Sequence, residues 1–322
     1  MKPSLIAYSA REWLDMADVQ RDWLIPQLLG KGESLVIHGA SQSFKSWLSL
    51  QLCFDLSAGV APLGIFDPPD EPMNTLILEG EGSPGAWKQR IALMAAHYPD
   101  HALDRQLSAH ILARPLTDPA TYAEATDLVR ESGAAFVVID TRSQFFAGDE
   151  NDVKEVNSWA DLVTAWRRDS GCASSLVQHN RKPSKAPDAS GRWVKQAQDE
   201  NDLRGSGGFM ANCDLMFGMN RDHANITMTI EKQRDGEFVG REYKFRFQDN
   251  HLVCVTRGDA VECAISAALA GGIVMTRPDL TAAVVAATRL SESTVSDTIK
   301  RMGEDGVLSI YTNAKTHTVK LR

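Results

Sequence analysis

The sequence predicts an α/β protein: a mainly parallel sheet wrapped by helices, an antiparallel extension of that sheet, and a small helical unit at the C-terminal end. Three observations carry this. Short runs rich in Val, Ile and Leu alternate with helical stretches through the first half of the chain, as parallel strands joined by crossover helices do. Beyond Asp214 the runs alternate apolar and polar residues between turns, which suits hairpins. From Gly258 onward three helical stretches follow one another.

The buried-type runs are residues 34–38 (SLVIH), 75–79 (TLILE), 109–112 (AHIL), 136–140 (FVVID) and 173–178 (ASSLVQ). Most are continuously apolar, as strands covered on both faces are. Residues 225–231, 241–247 and 251–255 alternate instead, with Asp235 and Gly236 marking a turn. Residues 181–203, polar and rich in Pro, Ser, Asp and Lys, read as a long loop, and a loop of that length inside a compact domain is usually functional. Helices are expected at 260–270, 278–288 and 292–302, followed by two short strands ending at Leu321, the outline of a winged helix-turn-helix. Ser291 suits an N-cap, and Val295, Ile299 and Met302 make a buried stripe. The expected domains are 1–257 and 258–322.

A 43% hydrophobic and 24% charged composition supports a real core in a soluble protein. The longest weakly polar stretch, residues 264–275, is too short to cross a bilayer, and no basic start precedes an apolar run, so a cytoplasmic protein without membrane attachment is expected. Five cysteines without CxxC pairing imply neither zinc nor disulfides. A net charge of −8 argues against a surface coated for unselective DNA binding, which leaves local patches to carry any such role.

The chemistry concentrates at the ends of the strands. After SLVIH comes GASQSFKS and then an amphipathic helical run, the strand-loop-helix context of a phosphate-binding loop. The nucleotide-binding set is Gly39, Ala40, Ser41, Gln42, Ser43, Phe44, Lys45, Ser46 and Trp47. Backbone N–H groups cradle phosphate oxygens, Lys45 reaches the β and γ phosphates of ATP, and the Ser46 hydroxyl ligates Mg²⁺. Phe44 occupies the position normally held by the second glycine, where φ > 0 costs a bulky residue on the order of 1–2 kcal/mol. FVVID ends in Asp140, a second candidate Mg²⁺ ligand. TLILEGEG ends in Glu79 and Glu81, with Glu81 preferred for orienting the attacking water and Glu79 in reserve. Gln178 and His179 end the next strand, positioned to sense the γ-phosphate.

These residues resemble the RecA-like hexameric ATPases that include plasmid RepA-like helicases and, more distantly, DnaB-type replicative helicases. The resemblance spans about residues 23–255 and rests on WLIPQLLGKGESLVIHGASQSFKSWLSL, on GEG around Glu81, on VVID and on VQHNRK. It implies a RecA-like core working as a homo-oligomeric ring, usually a hexamer. EKQRDGEFVG resembles the DnaB-type stretch whose Lys and Arg reach the next subunit's ATP site, which would assign Lys232 and Arg234; LRGSGG makes Arg204 a second candidate for that arginine.

Between residues 181 and 195 stand Arg181, Lys182, Lys185, Arg192 and Lys195 against one acidic residue, Asp188, and Trp193 adds a stacking face. Such a stretch suits single-stranded DNA. In RecA-like rings residues 142–157 would also line the channel, although Asp149, Glu150, Asp152 and Glu155 make them acidic. Residues 259–322 hold seven basic and seven acidic side chains, so the C-terminal unit suits a replication partner as well as DNA. The function expected first is an ATP-driven motor on single-stranded DNA, a helicase of plasmid or phage replication. The alternatives are an ATP-switched DNA-binding, loading or regulatory protein that does not unwind, and a recombinase-like ATPase.

Overall fold

A computed structural model describes residues 8–15, 21–110, 115–149, 152–180, 185–187, 193–195, 213–234, 236–255, 259–269, 273–288, 291–304, 307–313 and 316–321. After a short helix α1 (Ala10–Asp15) and a hairpin of β1 (Trp23–Ile25) and β2 (Leu29–Gly30), the chain enters β3 (Ser34–Gly39) and α2 (Lys45–Ala58). Then follow β4 (Thr75–Glu79), α3 (Pro84–Ala95), α4 (Asp100–Arg105), β5 (Gln106–His110), α5 (Pro119–Ser132) and β6 (Phe136–Asp140). Helices α6 (Arg142–Phe145) and α7 (Val153–Ser170) lead to β7 (Ala173–His179).

A short ribbon of β8 (Lys185–Pro187) and β9 (Trp193–Lys195) precedes β10 (Leu215–Asp222), β11 (Asn225–Gln233), β12 (Glu242–Gln248) and β13 (His251–Cys254). Among the described residues the main sheet runs β13-β12-β11-β10-β3-β7-β6-β4-β5. It is parallel from β10 to β5 and antiparallel from β10 to β13. The expected parallel sheet with an antiparallel extension is therefore the observed one.

Side-chain alternation explains why this sheet needs cover on both faces. Leu35, Ile37, Phe136, Val138 and Val177 enter one hydrophobic cluster. Val36, Val137, Ile139 and Leu176, their neighbours along the strands, enter another on the opposite face. Helix α2 fills the first face so completely that Leu48, Leu50, Leu52, Cys53, Phe54 and Leu56 are all buried. Cap residues sit where the chain turns: Asp118 accepts from Ala120 N at α5, Asp152 caps α7, and Gly59 and Gly171 end α2 and α7 in the left-handed region that glycine adopts without strain.

Four expectations need correction. The strand expected at 109–112 begins earlier, at Gln106, and is described to His110, with 111–112 outside the described residues; paired among the described residues with β4 alone, it tolerates polar residues such as Gln106 and Ser108 and so hides from a search for apolar runs. The loop expected over 181–203 contains the paired segments β8 and β9, with Lys185 opposite Lys195. Residues 142–157, expected as one loop, hold helix at both ends: 142–145 form α6, with Arg142 only 1% exposed, and α7 begins at Val153. Strand β10, which joins the two halves of the sheet, was not anticipated at all.

The C-terminal residues form α8 (Asp259–Ala268), β14 (Met275–Thr276), α9 (Arg277–Thr288), α10 (Glu292–Glu304), β15 (Leu308–Asn313) and β16 (Thr316–Leu321). The strands pair in the order β14-β16-β15. Val261, Ile265, Leu280, Val284, Val295, Ile299 and Val319 make a hydrophobic cluster that takes in no residue before 259. No helix among the described residues is long and apolar enough to cross a membrane.

Candidate active site

Register brings the strand ends together. Gly39 pairs with His179, Glu79 with Asp140, and Met219 with Gly39, so all five lie along the C-terminal edge of the parallel strands. That edge is where open α/β sheets bind ligands. Gly39 is required there by space, since a Cβ on it would stand 2.2 Å from the Met219 carbonyl oxygen and 2.8 Å from Ser43 Oγ.

The loop from Gly39 turns into α2 through two non-glycine residues in the left-handed region, Gln42 at φ 66° and Phe44 at φ 68°. Phe44 is the strained position expected from the sequence; Gln42 was not foreseen. Packing explains why Phe44 is tolerated: its ring centroid lies 4.7 Å from that of Phe247, and the Arg221 guanidinium sits 4.9 Å over it. Trp47 closes on the same Phe247 ring at 4.9 Å. Arg221 also donates to the Gln42 carbonyl at 3.4 Å, so the tip of the β10–β11 hairpin braces the loop.

Lys45 is 4% exposed and donates to the carbonyls of Gly39 at 3.0 Å and Ala40 at 2.7 Å, inside the curve of the loop. Burial pushes its ammonium down to about 8, against the opposing pull of Asp140 and Glu81. Asp140 is 2% exposed; burial raises its carboxyl to about 6, while a hydrogen bond from Ser46 and the charge of Arg90 work against that rise. A desolvated carboxylate paired with a serine hydroxyl at the start of α2 is a donor set suited to Mg²⁺. Ser46 and Asp140 thus fall together as the sequence led one to expect. Arg90 on α3, which lies over the rings of Trp47 and Trp87 at 5.4 and 5.3 Å, adds a cation that sequence reasoning missed.

The two candidate carboxylates take different places. Glu79 is buried, and its Oε1 accepts from the backbone N–H groups of Glu81, at 2.8 Å, and Gly82. It shapes the turn. Glu81 projects to the strand ends: its Oε1 accepts from Thr141 Oγ1 at 2.5 Å and Ser143 Oγ at 3.2 Å, and its Oε2 lies 4.0 Å from His179 Nε2. The His179 imidazole first, then the Thr141 and Ser143 hydroxyls, hold the Glu81 carboxyl down to about 2. Since 4.0 Å exceeds hydrogen-bond range, the two hydroxyls fix its geometry. Thr141 and Ser143 escaped sequence reasoning although they directly follow FVVID.

Behind the loop, His38 on β3 contacts Asn180 Oδ1 through Nδ1 at 2.9 Å and Glu231 Oε2 through Nε2 at 2.5 Å, and the Asn180 N–H donates to the Gly39 carbonyl at 3.1 Å. This buried link ties the starts of the phosphate-binding loop and of the post-β7 segment to β11. Nothing in the sequence signalled it beyond the position of His38 one residue before Gly39.

Other expected site residues lie elsewhere. Lys232 pairs with Met216, and Arg234 follows β11, at the opposite edge of the sheet from Gly39. Leu35, beside that edge, precedes Gly39 by four residues, or about 13 Å of strand. Neither side chain belongs to this chain's own loop. Arg181, Lys182, Arg192 and Arg204 lie outside the described residues, and of Lys185, Trp193 and Lys195 only the backbone ribbon is described.

A strand running into a phosphate-binding loop and helix, with a buried carboxylate ending a neighbouring parallel strand, defines a P-loop ATPase core of the RecA-like kind. Residues 6–185, more than half of the chain, match the family model described as AAA domain, and the chain belongs to that family of P-loop ATPases. With the family come nucleotide binding, typically with Mg²⁺, and ATP hydrolysis. No curated protein matches the chain.

Proposed function

We propose that the protein is an ATP-driven ring motor on single-stranded DNA, a replicative helicase of the plasmid or phage kind related to RepA-like proteins. The observation that carries this reading is the Glu81–His179 contact. It joins the carboxylate at the end of β4 to the last residue of β7, and the ribbon bearing Lys185, Trp193 and Lys195 begins six residues further on. A change at the γ-phosphate felt by His179 would therefore pass directly into the segment proposed to hold DNA.

In this reading Gly39–Trp47 cradle the phosphates of ATP, with Lys45 turning its donors from the loop carbonyls to the β and γ phosphates. Ser46 and Asp140 would hold Mg²⁺, which would supply charge neutralisation at the phosphates. Glu81 holds the attacking water by accepting its hydrogen bond; a carboxylate held at about 2 orients well but takes a proton poorly, so orientation is its contribution. Arg234, remote from its own loop, would reach the ATP of a neighbouring copy together with Lys232. A finger of this kind is typically worth about 10³–10⁵ in turnover.

The test is ATP hydrolysis with and without single-stranded DNA, followed by unwinding of a forked duplex. Strong stimulation by DNA with unwinding sustains the helicase. Bound ATP with slow turnover indifferent to DNA would replace it with an ATP-switched DNA-binding protein.

A further inference from the structure

At the edge of the sheet opposite the phosphate-binding loop, the last turns of α7 meet the start of β10 and the end of β11 around a polar cavity of about 470 Å³. Asp161, Thr164, Arg167, Arg168, Asp214 and Arg234 line it. Asp214 organises the group. Its Oδ2 accepts from Ser34 N and Ser34 Oγ, both at 2.9 Å, and stands 3.9 Å from Arg167 Nη1. Its Oδ1 receives Arg234 Nε at 3.1 Å, and its carbonyl accepts the Arg234 N–H at 2.8 Å.

Two features go beyond an ordinary ion pair. Arg167 is 8% exposed, yet its Nε has no partner among the described residues, so a buried cationic donor is left over. Asp214 grips Arg234 at Nε, and among the described residues the two terminal amino groups of this half-exposed guanidinium remain as the planar pair that matches an oxyanion. Arg168 is exposed on the same rim. Among the described residues three guanidinium groups thus face two carboxylates, one of which already takes two hydrogen bonds from Ser34. The cavity lies at the negative end of α7, so the guanidinium groups and not the helix dipole would hold an anion.

We propose that this cavity is a second oxyanion site, one that takes a phosphoryl group, with Arg168 and Arg234 as its donors and Asp214 as the residue that positions Arg234. Two sources share this chemistry. One is the terminal phosphate of ATP on a second copy, which rests on the proposed ring; the other is a free polyphosphate, which does not.

The full chain carrying Lys45→Ala, in which the first phosphate site is disabled, is titrated calorimetrically with inorganic triphosphate, alone and with Arg168→Gln added. In parallel, turnover is followed against protein concentration for wild type, Arg168→Gln and Asp214→Asn. Triphosphate binding that survives Lys45→Ala and weakens about 10-fold or more with Arg168→Gln, the loss of a charge-assisted hydrogen bond, identifies a free polyphosphate. Loss of the concentration-dependent part of turnover in Arg168→Gln identifies a neighbour's nucleotide. In that case Asp214→Asn lowers kcat and leaves KM for ATP unchanged, which a general loss of fold would not do. A chain that never self-associates but shows Arg168-dependent triphosphate binding sinks the ring and keeps the cavity. Arg168→Gln that alters neither triphosphate binding nor turnover overturns the proposal.

Discussion

Phe44 shows how one residue balances two opposing terms. Its left-handed backbone costs on the order of 1–2 kcal/mol, and its ring returns a similar amount by packing on Phe247 beneath Arg221. Phe44→Gly removes both terms, so chemical denaturation should show a change within about 1 kcal/mol. Phe44→Ala keeps the strain and loses the ring, and should destabilise by about 1–2 kcal/mol in the same measurement. The two glutamates separate in the same way. Glu81→Gln should bind ATP normally and lose most turnover, whereas Glu79→Gln, which weakens the acceptor for the Glu81 and Gly82 N–H groups, should impair both. Position 44 was legible because a motif fixes where a glycine belongs. The roles of Thr141, Ser143, Arg90 and His38 were not, because each acts through a partner far away in sequence, as His38 does through Glu231.

Among the elements, the continuous runs SLVIH, TLILE and FVVID were legible because strands covered on both faces must be apolar throughout. Strand β10 escaped because LMFGMNRD mixes a glycine with three polar residues at its end. A Cβ on Gly218 would stand 1.9 Å from Glu231 Oε1, so a larger residue there would push the Glu231 carboxylate from its place beside His38. Strand β5 was expected but placed three residues late, because at the edge of the described sheet its first residues, Gln106 and Ser108, are polar. The C-terminal helices were read from their 3.6-residue stripe and occur within a residue or two of the expected bounds. Their cluster is self-contained, which leads to a prediction for this element. Leu280→Asp buries an unpaired charge at a fully buried position and should melt residues 259–321, seen as lost amide protection, while ATP binding at the core persists.

For the whole molecule, buried acids set the response to pH. Burial raises Asp140 to about 6 and Asp55, despite its hydrogen bonds from Tyr98 and Leu63, to about 7. Both carboxyls hold their protons more tightly in the folded chain than in the unfolded one, so the folded state binds more protons between about pH 4 and 7. Stability therefore falls as pH rises through that window. Asp140→Asn should remove its share, a gain on the order of 2–3 kcal/mol that is absent below about pH 4 and complete above about pH 6, while Mg²⁺-dependent turnover collapses. In the wild type the Mg²⁺ needed for turnover should rise as pH drops below about 6, where Asp140 takes up its proton.

The placement of Lys45 and Arg234 at opposite edges of one sheet is the feature on which the proposed ring depends, and it makes a mixing experiment decisive. Lys45→Ala chains keep the arginine and lose the phosphate lysine; Arg234→Ala chains do the reverse. Each alone should hydrolyse ATP poorly. Mixed with single-stranded DNA present, they form interfaces in which an intact loop meets an intact arginine, and the account predicts that turnover recovers to a substantial fraction of wild type. Mixtures that co-assemble, as judged by light scattering, and stay as inactive as their components would contradict it.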